Sequence, residues 1–433
     1  MGIPIKENIA KLVVETTTLC NLQCPMCVKQ SATLAEGEES ADGSMSLKTF
    51  QQLECVFPSL ESLVLNGIGE PLLNPLLPNF ISISAKKMPK GSRIGFQSNG
   101  VLFNEQNSLE LLSAGANTIC ISIDSIKDEQ LSAMRGVSVA SLDKTFSHLT
   151  NARQKLMVQD VRFGIEIVLT KNNIIEMPQI SQWAIDRGAS FILVSQLMPY
   201  SKESFKDVAY DTNTDIAIEI YNKWITEAQQ KGIDFTRYYA TFMKFSKNEQ
   251  DSQLLSIAKG MIAEAEARGA YLHLGNLLRR NEEYFQKVDE VFEKTQKICK
   301  KHDVEIKLPT ITPHNVRRCE FVEDKSLFVS FNGKVHPCYF LWHRFNCYVG
   351  GVENKIKPWS LGSINNNNIL EIWNSDEYKK FRNAVLKYDF PFCFDCSFAL
   401  CDYVDTENFE QDCYLREVPC AVCLWCTGLF NCL

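Results

Sequence analysis

The distribution of the cysteines constrains this chain more than any other feature of its sequence. Of 17 cysteines in 433 residues, three lie between Cys20 and Cys27 and eleven lie from Cys319 onward. Cysteines clustered at short spacings in a reducing compartment indicate metal binding or redox chemistry rather than disulfides. The remaining three have no partner at metal spacing, so we expect small core residues: Cys55, Cys120 and Cys299.

Length and composition describe a globular chain without a membrane or polyanion-binding signature. At 433 residues the chain exceeds what one compact core supports, which predicts two or three domains. Its net charge of -7 and lack of a basic stripe argue against nucleic-acid binding. No apolar run reaches the roughly 18–20 residues of a membrane span, and no signal peptide is present at the start. We therefore expect a cytoplasmic protein.

Short apolar, β-branched runs alternate with helical patterns between residues 11 and 200. The predicted strands are Leu12–Thr17, Leu63–Asn66, Ile94–Ser98, Thr118–Asp124, Phe163–Leu169 and Phe191–Leu197. The predicted helices include Leu47–Phe57, Glu105–Ala114, Ser141–Lys155 and Glu176–Arg187. This alternation is typical of parallel βαβ units in an α/β fold, and six such units form a partial (β/α)6 barrel. Ligands of such folds bind at the C-terminal ends of the strands.

Two changes in character divide the chain into three predicted parts. Residues 1–203 form the barrel, residues 204–310 are charged and helix-rich, and residues 311–433 combine many aromatics with a high cysteine density. A small region of the last kind buries little apolar area, and metal clusters commonly stabilise it in place of a core.

The segment Cys20-Asn-Leu-Gln-Cys24-Pro-Met-Cys27 directly follows the first predicted strand. Three thiolates at this spacing can bind three corners of a 4Fe–4S cube, which leaves one iron free to bind a substrate. A structural zinc site is the alternative, although zinc usually takes four ligands and no fourth cysteine lies nearby.

This C-x3-C-x2-C spacing after the first strand of an α/β barrel resembles the radical S-adenosylmethionine (SAM) superfamily. The resemblance implies that the open iron binds the amino and carboxylate groups of SAM. One electron from the reduced cluster then cleaves SAM to methionine and a 5′-deoxyadenosyl radical, which abstracts a hydrogen atom from substrate. The resemblance identifies no catalytic acid or base.

Motifs at later strand ends follow the order of that family: Gly67-Ile68-Gly69-Glu70-Pro71, then Gln97-Ser98-Asn99-Gly100, then Ile121-Ser122-Ile123-Asp124. The resemblance implies contacts to SAM from Met26, Gly69, Glu70, Ser98, Asn99, Ser122, Asp124 and Arg135. Glu70 would accept a hydrogen bond from the SAM ammonium group, and Arg135 would bind its carboxylate. Taken singly, the glycine motif also fits a plain turn, Arg135 a surface arginine and Met26 a core position.

The C-terminal cysteines resemble a second pattern. Cys319, Gly333 and Cys338 form C-x13-G-x4-C, which resembles the SPASM extension of radical SAM enzymes that modify peptides, proteins and some small molecules. That extension holds one or two auxiliary 4Fe–4S clusters. The implied ligands are Cys319, Cys338, Cys393, Cys396, Cys401, Cys413, Cys420 and Cys423, with Cys426 and Cys432 in reserve.

This second match departs from the family, whose C-x2-C-x5-C-x3-C core is here C-x2-C-x4-C-x11-C. Zinc is the alternative at these cysteines. We expect His336, close to Cys338, to be exposed, with a supporting contact to a metal ligand as the alternative.

Together the two cysteine sets predict a radical SAM/SPASM oxidoreductase that acts on a peptide, a protein side chain or a small polar molecule. An auxiliary cluster would assist electron transfer or substrate binding, and a flavodoxin or ferredoxin would supply electrons. The alternative from another class is a non-catalytic iron–sulfur electron carrier or a zinc-stabilised interaction module. Neither an electron carrier nor an interaction module requires the motifs at the strand ends.

Overall fold

A nine-stranded sheet organises the protein. The structure is a computed structural model that describes residues 8–30, 42–393 and 409–433. Six parallel strands stand side by side in chain order: β1 (Lys11–Val14), β2 (Ser62–Val64), β3 (Arg93–Ser98), β4 (Thr118–Ser122), β5 (Arg162–Leu169) and β6 (Phe191–Gln196). Every residue of β4 and β6 is buried, as expected for strands covered on both faces.

Helices connect these strands and cover the sheet. They are α1 (Leu47–Gln51), α2 (Leu77–Lys87), α3 (Glu105–Ala114), α4 (Asp128–Arg135), α5 (Val139–Leu156) and α6 (Met177–Asp186). The predicted α/β class with six parallel βαβ-type units is therefore confirmed. The predicted helix over Leu47–Phe57 is shorter in the structure, where α1 ends at Gln51.

Later segments extend both edges of the sheet. At one edge β7 (Glu305–Lys307) pairs in parallel with β6. At the other, β8 (Ser326–Val329) pairs in parallel with β1, and β9 (Val335–His336) pairs antiparallel with β8. The remaining strands, β10 (Phe345–Val349) and β11 (Val352–Ile356), form a separate hairpin. Because β8 adjoins β1, the first C-terminal cysteines lie beside the strand that leads to Cys20.

The helix-rich middle of the chain contains a second apolar core. Its helices are α7 (Asp215–Gln230), α8 (Tyr238–Phe242), α9 (Glu249–Ala267), α10 (Leu274–Leu278) and α11 (Glu282–Lys301). Ile220, Leu254, Ile257 and Met261 are buried in this core, apart from the core beneath the sheet. By contrast α11 packs back on α6. Three short helices complete the C-terminal region: α12 (Glu320–Glu323), α13 (Ile369–Asn374) and α14 (Asp376–Val385).

Two expectations about single residues are wrong. Cys55 is exposed rather than a core residue, because it follows α1 at the surface, whereas Cys120 and Cys299 are buried as expected. His336 is fully buried, because β9 carries it onto the sheet, where its Nδ1 lies 3.0 Å from the Trp359 carbonyl. Across the described ranges, no helix combines the length and apolar character needed to cross a bilayer. The part boundaries at 203/204 and 310/311 stay predictions.

Candidate functional site

The three N-terminal cysteines lie on the loop that follows β1, and all three are partly buried. The Cys27 N–H donates to the Cys24 carbonyl at 3.0 Å, which turns the loop tightly. Burial raises the pKa of all three thiols, to about 11 for Cys27. Such thiols stay protonated at neutral pH unless a metal cation replaces the proton.

The loop after β2 packs directly on the cysteine loop. The Glu70 N–H donates to the Leu19 carbonyl at 2.7 Å. A Cβ atom at Gly69 would lie 2.4 Å from the Thr17 carbonyl oxygen and 2.5 Å from that of Leu19. No side chain fits there, so Gly69 permits the close approach of the two loops.

The Glu70 carboxylate connects this loop to the turn after β3. It is 2% exposed, its Oε1 accepts from the Ser98 hydroxyl at 2.8 Å, and its Oε2 accepts from the Asn99 N–H at 2.8 Å. The Asn99 amide in turn donates to Asn21 Oδ1, on the cysteine loop, at 2.8 Å. Glu70 thus positions the turn, while its predicted contact with SAM stays a prediction.

Arg135, the last residue of α4, is fixed over the cysteine loop. Its Nε donates to Asp124 Oδ2 at 2.5 Å, and Asp124 Oδ1 accepts from the Val168 N–H at 2.8 Å. The Arg135 carbonyl lies 3.6 Å from Cys24 Sγ. Although burial raises the pKa of Cys24, the Arg135 charge opposes this by favouring the thiolate. Asp124 itself is fully buried behind Arg135.

A cavity of about 330 Å³ opens above these loops at the C-terminal ends of the strands. This volume lies within the range of small-ligand sites. The cavity brings together the three cysteines and seven of the eight predicted contact residues: Met26, Gly69, Glu70, Ser98, Asn99, Ser122 and Arg135. The role of each residue in SAM binding stays a prediction, but all seven line the same cavity.

Gln97 and Glu166 are among the polar residues of this cavity that sequence reasoning missed. The Gln97 amide donates to the Ser122 hydroxyl at 3.0 Å and to the Glu166 carboxylate. Burial raises the pKa of Glu166 from its ordinary 4.5 to about 7, despite the opposing charge of Arg135. A glutamate inside the apolar run Phe-Gly-Ile-Glu-Ile-Val-Leu of β5 was a signal that could have found it.

Aromatic residues from the C-terminal end of the described chain form another part of the cavity wall. Trp425 and Phe430 stack with ring centroids 4.5 Å apart. Hydrogen bonds hold this segment along β6: the Gln196 N–H donates to the Leu429 carbonyl at 3.1 Å, and the Asn431 side-chain amide donates to the Val194 carbonyl at 2.7 Å. No local pattern could have placed these residues, because they lie more than 200 positions from β6.

A second, nearly filled cavity of about 50 Å³ gathers six C-terminal cysteines. Four belong to the predicted ligand set and two to its reserve: Cys319, Cys338, Cys420, Cys423, Cys426 and Cys432. Burial raises the pKa of Cys338 well above its ordinary value. Trp425, Phe430 and Cys432 line both cavities, so they form the partition between them.

The other four predicted ligands are not among these six cysteines. Cys396 and Cys401 fall outside the described residues. Cys413 is exposed, and the Cys393 N–H donates to the Ala421 carbonyl at 3.0 Å. Neither Cys393 nor Cys413 lines the second cavity.

The donor sets of both cavities fit iron–sulfur clusters. Buried thiols are soft ligands that iron–sulfur clusters prefer, and metal binding would supply the positive charge that their ionisation needs. Within the described ranges, no three His, Cys, Asp or Glu residues stand close enough to hold one metal ion. A 4Fe–4S cube binds each thiolate to a different iron, so its ligands stand further apart than those of a single ion.

Comparison with known families supports this assignment. Residues 14–179 match the radical SAM superfamily, and residues 319–397 match SPASM, an iron–sulfur cluster-binding domain.

Among curated relatives, a tungsten-containing aldehyde ferredoxin oxidoreductase cofactor-modifying protein from Pyrococcus furiosus is 26% identical over 423 residues, covering 97% of this chain and 96% of the relative. An AdoMet-dependent heme synthase from Oleidesulfovibrio alaskensis is 26% identical over 43% of this chain and 45% of its own. A GTP 3′,8-cyclase from a Synechococcus species is 31% identical over 29% of this chain and 35% of its own.

Solved structures with a similar course of the chain include Streptococcus suis SuiB bound to S-adenosylmethionine and native anSMEcpe with bound AdoMet. SuiB has a TM-score of 0.49 and 12% identity, covering 95% of this chain and 78% of SuiB. For anSMEcpe the TM-score is 0.48 and the identity 16%, covering 87% of this chain and 83% of that chain.

The motifs on successive strands, their meeting in one cavity and the two family matches lead to the same assignment. They favour an enzyme over a non-catalytic carrier or a zinc module. The chain belongs to the radical SAM superfamily and carries a SPASM iron–sulfur domain.

Proposed function

We propose that this radical SAM enzyme binds its SAM-cleaving 4Fe–4S cluster through Cys20, Cys24 and Cys27 and modifies a cofactor or cofactor precursor by hydrogen-atom abstraction. The observation that carries the proposal is the shared cavity. All three thiols and seven predicted SAM contacts line one space of about 330 Å³.

When bound at Cys20, Cys24 and Cys27, the cluster would supply the electron that cleaves SAM, and SAM would supply the 5′-deoxyadenosyl group that takes a hydrogen atom from substrate. The protein's own residues bind and orient. Glu70 fixes the turn of Ser98 and Asn99 against the cysteine loop, and Asp124 holds Arg135 where its guanidinium can bind a carboxylate. The aromatic wall of Trp425 and Phe430 keeps water from the opposite side.

The choice of a cofactor as substrate rests on the Pyrococcus furiosus relative. Its similarity extends over 97% of this chain and therefore includes the helix-rich middle and the C-terminal cysteines. Its name describes a protein that modifies a cofactor, which supports a small-molecule substrate over a peptide. Fold alone would not support this choice, since one fold hosts many activities.

We further propose that Cys319, Cys338, Cys420 and Cys423 hold one auxiliary 4Fe–4S cluster. These four line the second cavity together with Cys426 and Cys432. That cavity shares the wall of Trp425 and Phe430 with the first, which supports the proposal that this cluster accepts an electron from the substrate. A flavodoxin or ferredoxin would supply the first electron.

Release of 5′-deoxyadenosine from SAM tests the first step. Anaerobically reconstituted, reduced wild-type protein should release it, and C24A should not, because that cluster loses one of its three ligands. C55A is the matched control, since Cys55 is exposed and lines neither cavity. Equal release by C24A and wild type would contradict the assignment of the cysteine loop.

The substrate is tested by deuterium transfer. Cofactors and cofactor precursors extracted from cells that lack this protein and are grown in deuterated medium should yield 5′-deoxyadenosine that carries one deuterium. Deuterium transfer from deuterated peptides and none from the cofactor extract would contradict the cofactor proposal while leaving the radical SAM assignment intact.

A further inference from the structure

The helices α8 and α9 present an apolar face that no part of the described chain covers. Four large apolar side chains within seven residues are exposed: Tyr239, Phe242, Met243 and Phe245, the last of them completely. Monomeric proteins seldom expose such a contiguous patch, and aromatic residues and methionine are enriched in protein interfaces.

The patch is held in a fixed conformation. Lys244 Nζ contacts both carboxylate oxygens of Asp251, at 2.8 and 2.9 Å, and so ties the turn after α8 to the first turn of α9. Asn248 caps α9 by accepting from the Asp251 N–H at 2.8 Å. Phe245 lies between these two anchors, so its exposure belongs to the folded structure.

A groove of about 490 Å³ lies beside the patch, and α9 forms its floor. The α9 residues that line it recur at helical spacing along one stripe: Leu255, Ala258, Lys259, Ile262, Ala263 and Glu266. Small alanines next to a larger isoleucine leave a surface into which another helix can pack. Phe242 and Lys247, on either side of Phe245 in the chain, line the same groove, so the segment that carries Phe245 adjoins it.

The charges of this stripe are self-complementary. Lys259 and Glu266 lie at equal distances along α9 from the point between Ile262 and Ala263. A two-fold axis through that point makes two α9 helices antiparallel and sets Lys259 of each copy opposite Glu266 of the other. Neither residue forms an ion pair in the described part of the chain. Isologous interfaces require this kind of self-complementarity.

We propose that the α8–α9 face is the interface of a homodimer, in which α9 of one copy packs antiparallel in the groove of the other. Phe245 of each copy then covers the partner's α9. The interface lies in the helix-rich part of the chain, apart from both cysteine cavities, so dimerisation is separate from the proposed chemistry.

Sedimentation equilibrium of the reconstituted holoenzyme tests the proposal. Wild type should show a concentration-dependent monomer–dimer equilibrium. F245D should weaken dimerisation at least about thirtyfold, as loss of an aromatic interface contact does, while 5′-deoxyadenosine release and the melting temperature at concentrations where both proteins are monomeric stay unchanged. M157D is the matched control: Met157 is 82% exposed, lies outside the α8–α9 face, and has a positive φ of 52° that aspartate tolerates.

A charge exchange tests the antiparallel arrangement. K259E should weaken the dimer by placing like charges opposite each other, and K259E/E266K should restore it. A wild type that stays monomeric, including one that binds a different protein through this face, overturns the proposal. So does an F245D protein that dimerises as tightly as M157D.

Discussion

Glu70 holds two donors of the turn after β3, and no neutral side chain of the same shape can accept both hydrogen bonds. In E70Q one carboxylate oxygen becomes an NH2 group that faces either the Leu72 N–H, which donates to Oε1, or the Asn99 N–H, which donates to Oε2. We expect a loss of about 1–3 kcal/mol in stability, because a buried donor loses its acceptor. Displacement of the turn should weaken SAM binding to the reconstituted protein about tenfold, measured by equilibrium binding. The control is E61Q, at an exposed glutamate; equal SAM affinity of E70Q and E61Q would contradict the positioning role.

Glu166 should make stability depend on pH. Burial raises its pKa from 4.5 to about 7, so the folded state binds more protons than the unfolded state between these values. The contribution of Glu166 to the stability of the folded state is therefore fully present below about pH 4.5 and is lost as the pH rises through about 7. The loss is at most about 3 kcal/mol. The melting temperature of E166Q relative to wild type should rise between about pH 5 and pH 8. A difference that is constant with pH would show that Glu166 is not titrating there.

Among single residues of the site, the sequence predicted those that belong to contiguous motifs. Ser98 and Asn99 were found because a short pattern carries both, and the structure places them in the cavity. Trp425 and Phe430 were not found, because their position depends on hydrogen bonds to β6 across more than 200 residues. No local preference encodes a contact of that separation.

Between elements, the β2 loop approaches the cysteine loop closely at Gly69. G69A should force the two loops apart, because the added Cβ would meet two backbone carbonyls at 2.4 and 2.5 Å. We expect loss of the SAM-induced change in the electron paramagnetic resonance spectrum and of 5′-deoxyadenosine release. G91A is the control: it introduces the same methyl group into open space, with only the strain of its positive φ of 86°. If SAM changes the spectrum of G69A as it changes that of G91A, the close approach of the two loops is not required for SAM binding.

The elements differ in how clearly the sequence encodes them. The six barrel strands are apolar, β-branched runs, and each was predicted to within a few residues. Helix α2 was not among the named helices, and its Ile-Ser-Ile-Ser segment alternates with the period of a strand while the surrounding residues follow a helical period. Strand β8 was also missed: it is four residues long, and its pairing with β1 joins positions more than 300 residues apart.

In the whole molecule, β8 makes the C-terminal region part of the same sheet as the proposed SAM site. Val14 at the end of β1 pairs with Val329, and one apolar core extends from the barrel to Phe430. The Glu15 carboxylate, fully buried after β1, accepts from the Ile68 N–H of the β2 loop at 3.1 Å and lies 3.0 Å from His343 Nε2. The two cysteine cavities are therefore held in a fixed relation, as electron transfer between them would require.

Removal of the proposed ligands of the auxiliary cluster should abolish the chemistry of the second cavity, while the first cavity and the barrel stay intact. Cys319 and Cys338 flank β8, and we expect C319A/C338A to lose one cluster's iron. The double replacement is needed because Cys426 or Cys432, in the same cavity, could substitute for one missing thiolate. The proposed ligands of the SAM-binding cluster lie on the separate loop after β1, so the variant should keep its spectral response to SAM and its uncoupled release of 5′-deoxyadenosine. Product formation should fall at least about a hundredfold, because the second substrate electron has no acceptor. C55A should keep the full iron content, and a C319A/C338A protein with as much iron as C55A would contradict the assignment of this cavity to a cluster.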